Sequence, residues 1–191
     1  MEKYLPVVVI RRPEETAAVL AALKSSGFRC AEITFRTACA AQAIADARRL
    51  YPDMLVGAGT VINVNQCRQA LRAGAQFVVS PGLSAGIARL CRRRRVPYYP
   101  GCVTPTEIIQ ALALGLTTVK FFPAGVFGGV AALKALSAPF PQVQFIPTGG
   151  VDRSNIDEYL AFDRVVSVGG SFFVREALEK AQEKAGGPAH G

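Results

Sequence analysis

Histidine and tryptophan are almost absent from this chain of 191 residues, which has a single histidine, His190, and no tryptophan. Because His190 lies in a Gly/Pro/Ala tail, histidine-based triads, facial iron triads and HExxH zinc sites are excluded. The five cysteines are scattered without a C-x-x-C pair, so neither a disulfide framework nor a zinc cluster is predicted. A catalyst built from this sequence must use lysine, carboxylates, hydroxyls or backbone amides.

Long apolar runs are also absent. No stretch approaches the roughly 18 residues of a membrane span, and the N-terminus lacks a basic region followed by an apolar one. We therefore expect a soluble, cytoplasmic protein with no membrane partner. The length fits one domain, predicted over 1–184, with a flexible tail over 185–191.

Basic residues outnumber acidic ones, 22 to 14, which gives a formal net charge of +8. The run Arg92–Arg95 is the one segment that suggests nucleic acid. However, it follows Ile87, Leu90 and Cys91 at helical spacing, and cations are favoured at a helix C-terminus. We interpret the run as a solvated helix end and expect no nucleic-acid partner.

Eight short apolar runs, separated by helix-like segments, organise the chain. The predicted strands are 7–10, 30–35, 55–60, 77–80, 98–102, 118–122, 144–148 and 165–168. Several are continuously apolar and β-branched, which is typical of parallel strands buried on both faces. Between them the helix signals are explicit, as in Thr104-Pro105-Thr106-Glu107, a capping box with proline at the first helical position.

This alternation predicts an α/β fold, and two architectures compete for it. One is a compact, eight-stranded parallel (β/α)8 TIM barrel with short loops, and the other is an open doubly wound sheet. The first strand is followed by Ile10-Arg11-Arg12-Pro13 rather than by a G-x-G-x-x-G turn. The count of eight strands favours the barrel.

Polar residues at the strand ends are the candidates for chemistry, because barrel active sites lie at the carboxyl ends of the strands. In the second strand, period-two alternation places Glu32, Thr34 and Arg36 on one face. If that face points inward, a carboxylate and a guanidinium line the barrel mouth. The alternative is a structural ion pair that faces the helices.

Lys120 stands in the sixth strand between Val119 and Phe121-Phe122. Burial of an ammonium group is costly unless it is paired or loses its proton. We interpret Lys120 as a Schiff-base lysine, since desolvation and the nearby cation of Arg36 favour the neutral amine that attacks a ketone. The alternative is a lysine that reaches a strand end and an ion-pair partner.

Glycine pairs end the last two strands, Gly149-Gly150 and Gly169-Gly170, and Ser171 follows the second pair. In barrels, these two loops and the N-terminus of a short extra helix frequently bind phosphate, and Ser171–Val174 is a candidate for that helix. A carboxylate, a buried lysine, an arginine and a phosphate cradle together indicate an imine-forming enzyme for a phosphorylated keto sugar acid.

The same segments resemble the family of class I aldolases that act on 2-keto-3-deoxy-6-phosphogluconate (KDPG) and 4-hydroxy-2-oxoglutarate (KHG) in and around the Entner–Doudoroff pathway. The matching segments follow the chain in order and are 6–10, 32–37, 57–61, 80–82, 100–105, 120–124, 147–150 and 169–171. Such ordered coverage from the first strand to the eighth is far more specific than any single motif.

The resemblance implies a lyase in which Lys120 forms the Schiff base and Glu32 is the general acid/base. It implies that Arg36 and Thr60 hold the pyruvate carboxylate. No metal ion or organic cofactor is implied beyond the covalent imine, and the family's homotrimer is the implied assembly.

The resemblance also implies the remainder of the pocket. Pro81 and Phe122 form its walls, and Thr148 stands where the family sets stereochemical preference at C4. The phosphate end is implied to comprise Gly149, Gly150, Gly169 and Ser171.

Three questions stay open at this point. The substrate is KDPG, its C4 epimer 2-keto-3-deoxy-6-phosphogalactonate (KDPGal), or unphosphorylated KHG, and we expect KDPG. A metal-free isomerase or synthase of phosphorylated sugars would share the glycine-pair cradle but would not need Lys120. A nucleic-acid-binding module would depend on Arg92–Arg95 alone.

Overall fold

The computed structural model describes residues 2–185, in which eight strands alternate with eight helices. The strands β1 to β8 are Tyr4–Val8, Cys30–Thr34, Leu55–Gly59, Val78–Val79, Tyr98–Tyr99, Thr118–Phe121, Gln144–Pro147 and Val168–Gly170. The helices α1 to α8 are Glu15–Ser25, Ala40–Leu50, Val64–Arg72, Ala85–Arg94, Pro105–Ala113, Gly129–Ser137, Ile156–Leu160 and Phe172–Ala185. The predicted α/β fold is confirmed. The predicted tail 185–191 lies outside the described residues except for residue 185, which ends α8.

All strand pairs within the described residues are parallel, and two hydrogen-bonded sheets contain them. One sheet has the order β5-β4-β3-β2-β1-β8, and the other consists of β6 and β7. Isolated parallel bridges link the two sheets: Gly101 with Lys120 on one side, and Phe145 with Val165 and Thr148 with Gly169 on the other. The carboxyl ends of all eight strands therefore lie on the same side, where the predicted site residues are.

Two strand predictions are displaced along the chain. The first strand was expected over 7–10 but begins at Tyr4, because Tyr4, Leu5 and Pro6 pair with β8. The eighth is expected over 165–168 but begins at Val168 and includes the glycine pair that follows the predicted strand. A Cβ at Gly169 would overlap Thr148 Oγ1, and one at Gly170 would overlap the Phe172 ring, so these glycines make room within a strand.

The core has three parts. Two large clusters lie between the strands and the helices. One consists of residues between Val8 and Tyr98 together with Ala177 of α8, and the other of residues between Cys102 and Phe173. The third is small and unites side chains of β1, β2, β4 and β7 with Phe77, which precedes β4. Its members are Leu5, Cys30, Phe77, Val79 and Ile146. Side chains from strands that are not neighbours in either sheet thus pack against one another.

Two helix ends have the predicted chemistry. In α5, the Thr104 side chain accepts a hydrogen bond from Glu107 N and the Glu107 carboxylate accepts one from Thr104 N, with Pro105 at the first helical position. Helix α4 ends at Arg94, and Arg95 has a left-handed φ of 56° at the cap. The arginine run is therefore a helix C-terminus, as predicted. No helix within residues 2–185 is long and apolar enough to cross a membrane.

Burial of two thiols predicts that stability falls at alkaline pH. Burial raises the pKa of Cys30 and of Cys102 to about 12, whereas an unfolded thiol ionises near pH 8.5. The stability that each buried, protonated thiol contributes to the folded state is therefore fully present below about pH 8.5. It is lost as the pH rises towards 12. Each such thiol lowers the free energy of unfolding by about 1.4 kcal/mol per pH unit within that window.

Urea denaturation at pH 8, 9 and 10 measures this slope. We expect the Cys30→Ala variant to lose less stability than the wild type over that range, because one of the two thiols is gone. Equal slopes for the two proteins would contradict the prediction.

Candidate active site

A buried ion pair links the two sheets at the centre of the site. Lys120 Nζ on β6 lies 3.6 Å from Glu32 Oε1 on β2, and the side chains are 7% and 1% exposed. The Lys120 backbone is fixed to the segment after β5, since its N–H donates to Pro100 O and its carbonyl accepts from Cys102 N, both at 2.8 Å. Two charges that are distant in sequence are thus held together away from solvent.

The Glu32 carboxylate has unused hydrogen-bonding capacity. Both of its oxygens are buried, and neither has a hydrogen-bond partner among the described residues. A buried carboxylate in this condition destabilises the fold, and such groups are concentrated at functional sites. Gly59 on β3 provides the space, because a Cβ there would overlap Glu32 Oε1, Cγ and Cδ. The absence of a side chain at Gly59 is therefore a condition for the position of Glu32.

An aromatic ring forms one wall beside the lysine. Lys120 Nζ lies 4.9 Å from the centre of the half-buried Phe122 ring, within the range of a cation–π contact. The same ring lies against Gly149, where a Cβ would approach it to 3.1 Å. Phe122 therefore contacts both the Lys120 end of the site and the first of the glycine pairs.

Arg36 and Thr60 meet beyond the ends of their strands. Arg36 Nε donates to Thr60 Oγ1 at 3.3 Å, and the Arg36 side chain is exposed. The expectation that Arg36 continues the strand face of Glu32 and Thr34 is wrong, because β2 ends at Thr34 and Arg36 lies beyond it. The hydroxyl of Thr34 donates to Val8 O at 3.0 Å and so belongs to the sheet. Arg36 reaches the mouth of the site from the loop after β2.

Thr148 immediately follows β7, which pairs with the lysine strand β6. Its side chain is 6% exposed, and Oγ1 is buried without a partner among the described residues. It bridges to Gly169, whose lack of a side chain leaves room for it. A hydroxyl that is buried and unpaired is available to a bound molecule.

The loop after β7 and the start of α8 lie at the same end of the strands. Gly149 and Gly150 have φ values of 83° and 78°, which favour glycine. Ser171 is exposed and immediately precedes α8. The predicted short helix over Ser171–Val174 is wrong, since Ser171 precedes the helix and the next three residues open a helix of 14 residues. The amides of a long helix N-terminus suit an anion as well as those of a short one.

Three contributors to the site were missed or undervalued from the sequence. Gly125 N donates to Gly149 O at 2.9 Å, and a Cβ at Gly125 would lie 3.2 Å from Gly150 Cα. Gly59 carried only the weak signal of a glycine near a strand end. Ser80, buried beside Pro81, was seen only as part of a matching segment. The glycine-rich end of the third predicted strand was the available signal for Gly59.

The structure places Glu32, Lys120 and Gly169 within strands, and the other predicted site residues beyond the carboxyl ends of strands. It brings Lys120 into contact with Glu32 and with Phe122, and separately Arg36 with Thr60 and Thr148 with Gly169. Pro81 follows β4 and lines a concavity of about 230 Å³ with residues that include Val61 and Ser80. No group of three or more His, Cys, Asp or Glu side chains in residues 2–185 is arranged to hold a metal ion.

A parallel α/β fold with a buried lysine beside a carboxylate fits the class of imine-forming aldolases. The model of the "KDPG and KHG aldolase" family matches residues 1–185. The chain belongs to this family, which confirms the resemblance drawn from its motifs.

Individual relatives agree with the family assignment. A 2-dehydro-3-deoxy-phosphogluconate aldolase of Treponema pallidum is 47% identical over 90% of this chain and 82% of its own length. A KHG/KDPG aldolase of Escherichia coli is 42% identical over 92% of this chain and 83% of its own length. The crystal structure of a KDPG aldolase from Legionella pneumophila, with pyruvate captured as a covalent carbinolamine intermediate, has a TM-score of 0.88 at 38% identity. That match covers 94% of this chain and 87% of the solved one.

The packing of Glu32 against Gly59 predicts a severe effect of a single methyl group. We expect Gly59→Ala to displace the carboxylate from Lys120 and to lower kcat for aldol cleavage at least about tenfold, since general acid/base groups contribute about 10²–10⁴. Steady-state kinetics measure this loss. Gly82→Ala is the matched control, because a Cβ at Gly82 meets nothing within 4 Å. Equal kcat values for the two variants would contradict the prediction.

Proposed function

We propose that this protein reversibly cleaves KDPG to pyruvate and glyceraldehyde 3-phosphate through a Schiff base on Lys120. The observation that supports this most directly is the buried Lys120–Glu32 pair in a chain of the KDPG and KHG aldolase family. Cleavage of KHG to pyruvate and glyoxylate is a second activity, supported by the "KHG/KDPG aldolase" name of the E. coli relative.

The first half of the reaction forms the imine. Transfer of the ammonium proton of Lys120 to Glu32 frees the nitrogen lone pair, which attacks the C2 carbonyl carbon. The resulting carbinolamine loses its hydroxyl as water with a proton returned by Glu32, and a protonated imine remains. The 3.6 Å separation of Nζ and Oε1, and the absence of other partners on the carboxylate, support a proton shuttle between these two groups.

The second half breaks the carbon–carbon bond. Glu32 takes the C4 hydroxyl proton, the C3–C4 electron pair moves towards the imine nitrogen, and C4 leaves as the aldehyde carbon of glyceraldehyde 3-phosphate. The enamine then takes a proton at C3, and water releases pyruvate and the free lysine. Because the protonated imine is the electron sink, the proposed chemistry needs neither a metal ion nor an organic cofactor.

We assign the pyruvate carboxylate to Arg36 and Thr60. The contact between Arg36 Nε and Thr60 Oγ1 presents a guanidinium and a hydroxyl side by side beyond β2 and β3. A guanidinium matches a carboxylate through parallel hydrogen bonds. Phe122 and Pro81 would enclose the bound substrate, because one lies beside Lys120 and the other beside the Thr60–Val61 turn.

We assign the phosphate group to the far end of the site. Gly149 and Gly150, with their positive φ values, expose backbone amides after β7, and Ser171 adds a hydroxyl at the N-terminus of α8. Gly169 contributes by leaving space for Thr148. The buried Thr148 hydroxyl stands between the lysine and the phosphate end, and we propose that it distinguishes the two configurations at C4.

We further propose that residues 2–184 form one domain with a closed (β/α)8 barrel. The bridges between the two sheets and the cluster that unites β1, β2, β4 and β7 support closure. A phosphorylated substrate and the five free cysteines support a cytoplasmic location.

A homotrimer is the proposed assembly. A solved protein cage built from symmetric oligomeric domains matches 96% of this chain with a TM-score of 0.82 at 26% identity. Ile62 and Val126 are large apolar side chains that are 62% and 84% exposed, so surface is available for burial between subunits. A sedimentation mass equal to that of one chain would contradict this assembly.

Borohydride trapping tests the Schiff base. Reduction in the presence of pyruvate is expected to leave a stable adduct on the peptide that contains Lys120, and the Lys120→Arg variant should form none, because a guanidinium does not condense with a ketone. Mass spectrometry of the digested protein identifies the site. Turnover by Lys120→Arg close to that of the wild type, without an adduct, would favour the phosphosugar isomerase or synthase.

Replacement of the Thr148 hydroxyl tests the substrate. The wild type is expected to show a higher kcat/KM with KDPG than with KDPGal or KHG. In Thr148→Val the preference for KDPG over KDPGal should fall about five- to tenfold, since one hydrogen bond to substrate contributes about 1–1.4 kcal/mol. Thr16→Val, which also removes a buried and unpaired hydroxyl, is the control far from the site and should keep the preference. An unchanged ratio in Thr148→Val would contradict the assignment.

A further inference from the structure

A buried serine fixes the turn that carries Thr60. Ser80 follows β4 and is 1% exposed, and its Oγ donates to Val61 O at 2.5 Å. The N–H of Val61 donates to Val79 O at 3.1 Å, so the end of β4 binds both polar backbone groups of Val61. Ser80 is itself fixed to the neighbouring strand, because its N–H donates to Tyr99 O at 3.2 Å.

The turn held in this way has an unfavourable backbone conformation. Thr60 has a φ of 54°, a left-handed value that costs a β-branched residue about 1–2 kcal/mol. Such conformations persist only where the surroundings enforce them, and they cluster at functional sites. On the other side of Thr60, the carbonyl of Gly59 accepts a hydrogen bond from Phe35 N at 2.7 Å. Thr60 is therefore held between Gly59 and Val61, whose backbone groups are both hydrogen-bonded, and the bond to the Val61 carbonyl comes from the Ser80 side chain.

The Ser80 side chain affects the exposed guanidinium of Arg36 indirectly, through Val61 and Thr60. Ser80 binds Val61, the Val61 turn sets the direction of Thr60, and Thr60 Oγ1 accepts from Arg36 Nε at 3.3 Å. Arg36 has no salt bridge with a carboxylate of residues 2–185, so Thr60 is the side chain that directs it in this structure. Loss of the Ser80 hydroxyl would leave Val61 O without this donor and relax the strained turn.

We propose that Ser80 is a positioning residue for the pyruvate carboxylate, which it affects through Thr60 and Arg36 without contacting the Lys120–Glu32 pair. The proposal rests on the proposed function, in which Arg36 and Thr60 receive that carboxylate. A positioning role of this kind predicts a change in affinity that is specific to substrates with a negative carboxylate. Imine chemistry at saturation is unaffected.

Saturation of borohydride trapping by two ketones tests the proposal. Pyruvate carries the carboxylate, and methyl pyruvate has the same ketone without the charge. In Ser80→Ala, the pyruvate concentration at half-maximal trapping should rise about three- to tenfold, the equivalent of one hydrogen bond, whereas that of methyl pyruvate should stay within about twofold. Likewise, KM for KDPG should rise while kcat changes little.

Ser167→Ala is the matched control, because Ser167 is fully buried and its hydroxyl has no partner among the described residues. It should leave both ketone affinities unchanged. If Ser80→Ala is too unstable to purify, Ser80→Cys replaces it, because the thiol is a weak hydrogen-bond donor. Its affinity for pyruvate should be lower than that of the wild type, but by less than the loss expected for a variant without a donor.

Two results would overturn the proposal. One is an unchanged pyruvate affinity in Ser80→Ala, or in Ser80→Cys if that is the variant obtained. The other is an equal loss of affinity for pyruvate and methyl pyruvate, which indicates a purely structural role. These failures are distinct from failure of the proposed function. If the proposed function is wrong, the wild type itself traps no pyruvate. If only the role of Ser80 is wrong, the wild type traps pyruvate and Ser80→Ala traps it with the same half-maximal concentration.

Discussion

The burial of Lys120 together with Glu32 is the constraint on which the rest of this site depends. The two opposite charges lie 3.6 Å apart and are almost inaccessible to water. Their burial is unfavourable unless their mutual attraction compensates for the lost hydration. Neither carboxylate oxygen has a hydrogen bond to compensate for its lost hydration among the described residues. The pair is therefore weak evidence for stability and strong evidence for chemistry.

The neighbours of this pair are organised around the space it needs. Gly59 has no side chain because the Glu32 carboxylate occupies that volume, and Gly169 has none because Thr148 does. The two glycines lie in β3 and β8, where a larger residue would otherwise favour strand stability. Glycine at these two positions thus lowers the stability of the strands, and it leaves the space that the polar side chains of the site occupy.

Charge is arranged at two depths. Glu32 and Lys120 are buried, whereas Arg36 is exposed and is directed by Thr60 from a strained turn. This division suits a substrate that carries its negative charge at its ends and its reacting carbonyl within. The basic run at the end of α4 belongs to neither depth, since it lies at a helix C-terminus, where the helix dipole favours cations.

Much of the fold could be predicted because its signals are local. Apolar runs, capping residues and helix stops depend on near neighbours in the chain, and the eight-unit α/β alternation was read from them. The register of a strand depends on the strand it pairs with, which is why the predicted bounds of β1 and β8 are wrong. Leu5 pairs with Gly169 across most of the chain, and no local sequence pattern predicts this pairing. The same reason explains the misplacement of Arg36, which follows the end of β2 at a point set by the sheet.

The sequence by itself determined which groups are available for chemistry. With its only histidine in the tail and one lysine inside an apolar strand, it left Lys120 as the candidate nucleophile and, through ordered motifs, identified the family. Only the tertiary structure decided that Glu32 is the ion-pair partner of Lys120, that Gly59 makes room for it, and that Ser80 supports the Thr60 turn. These are contacts between strands, and distance in space is a property of packing that residue order does not specify.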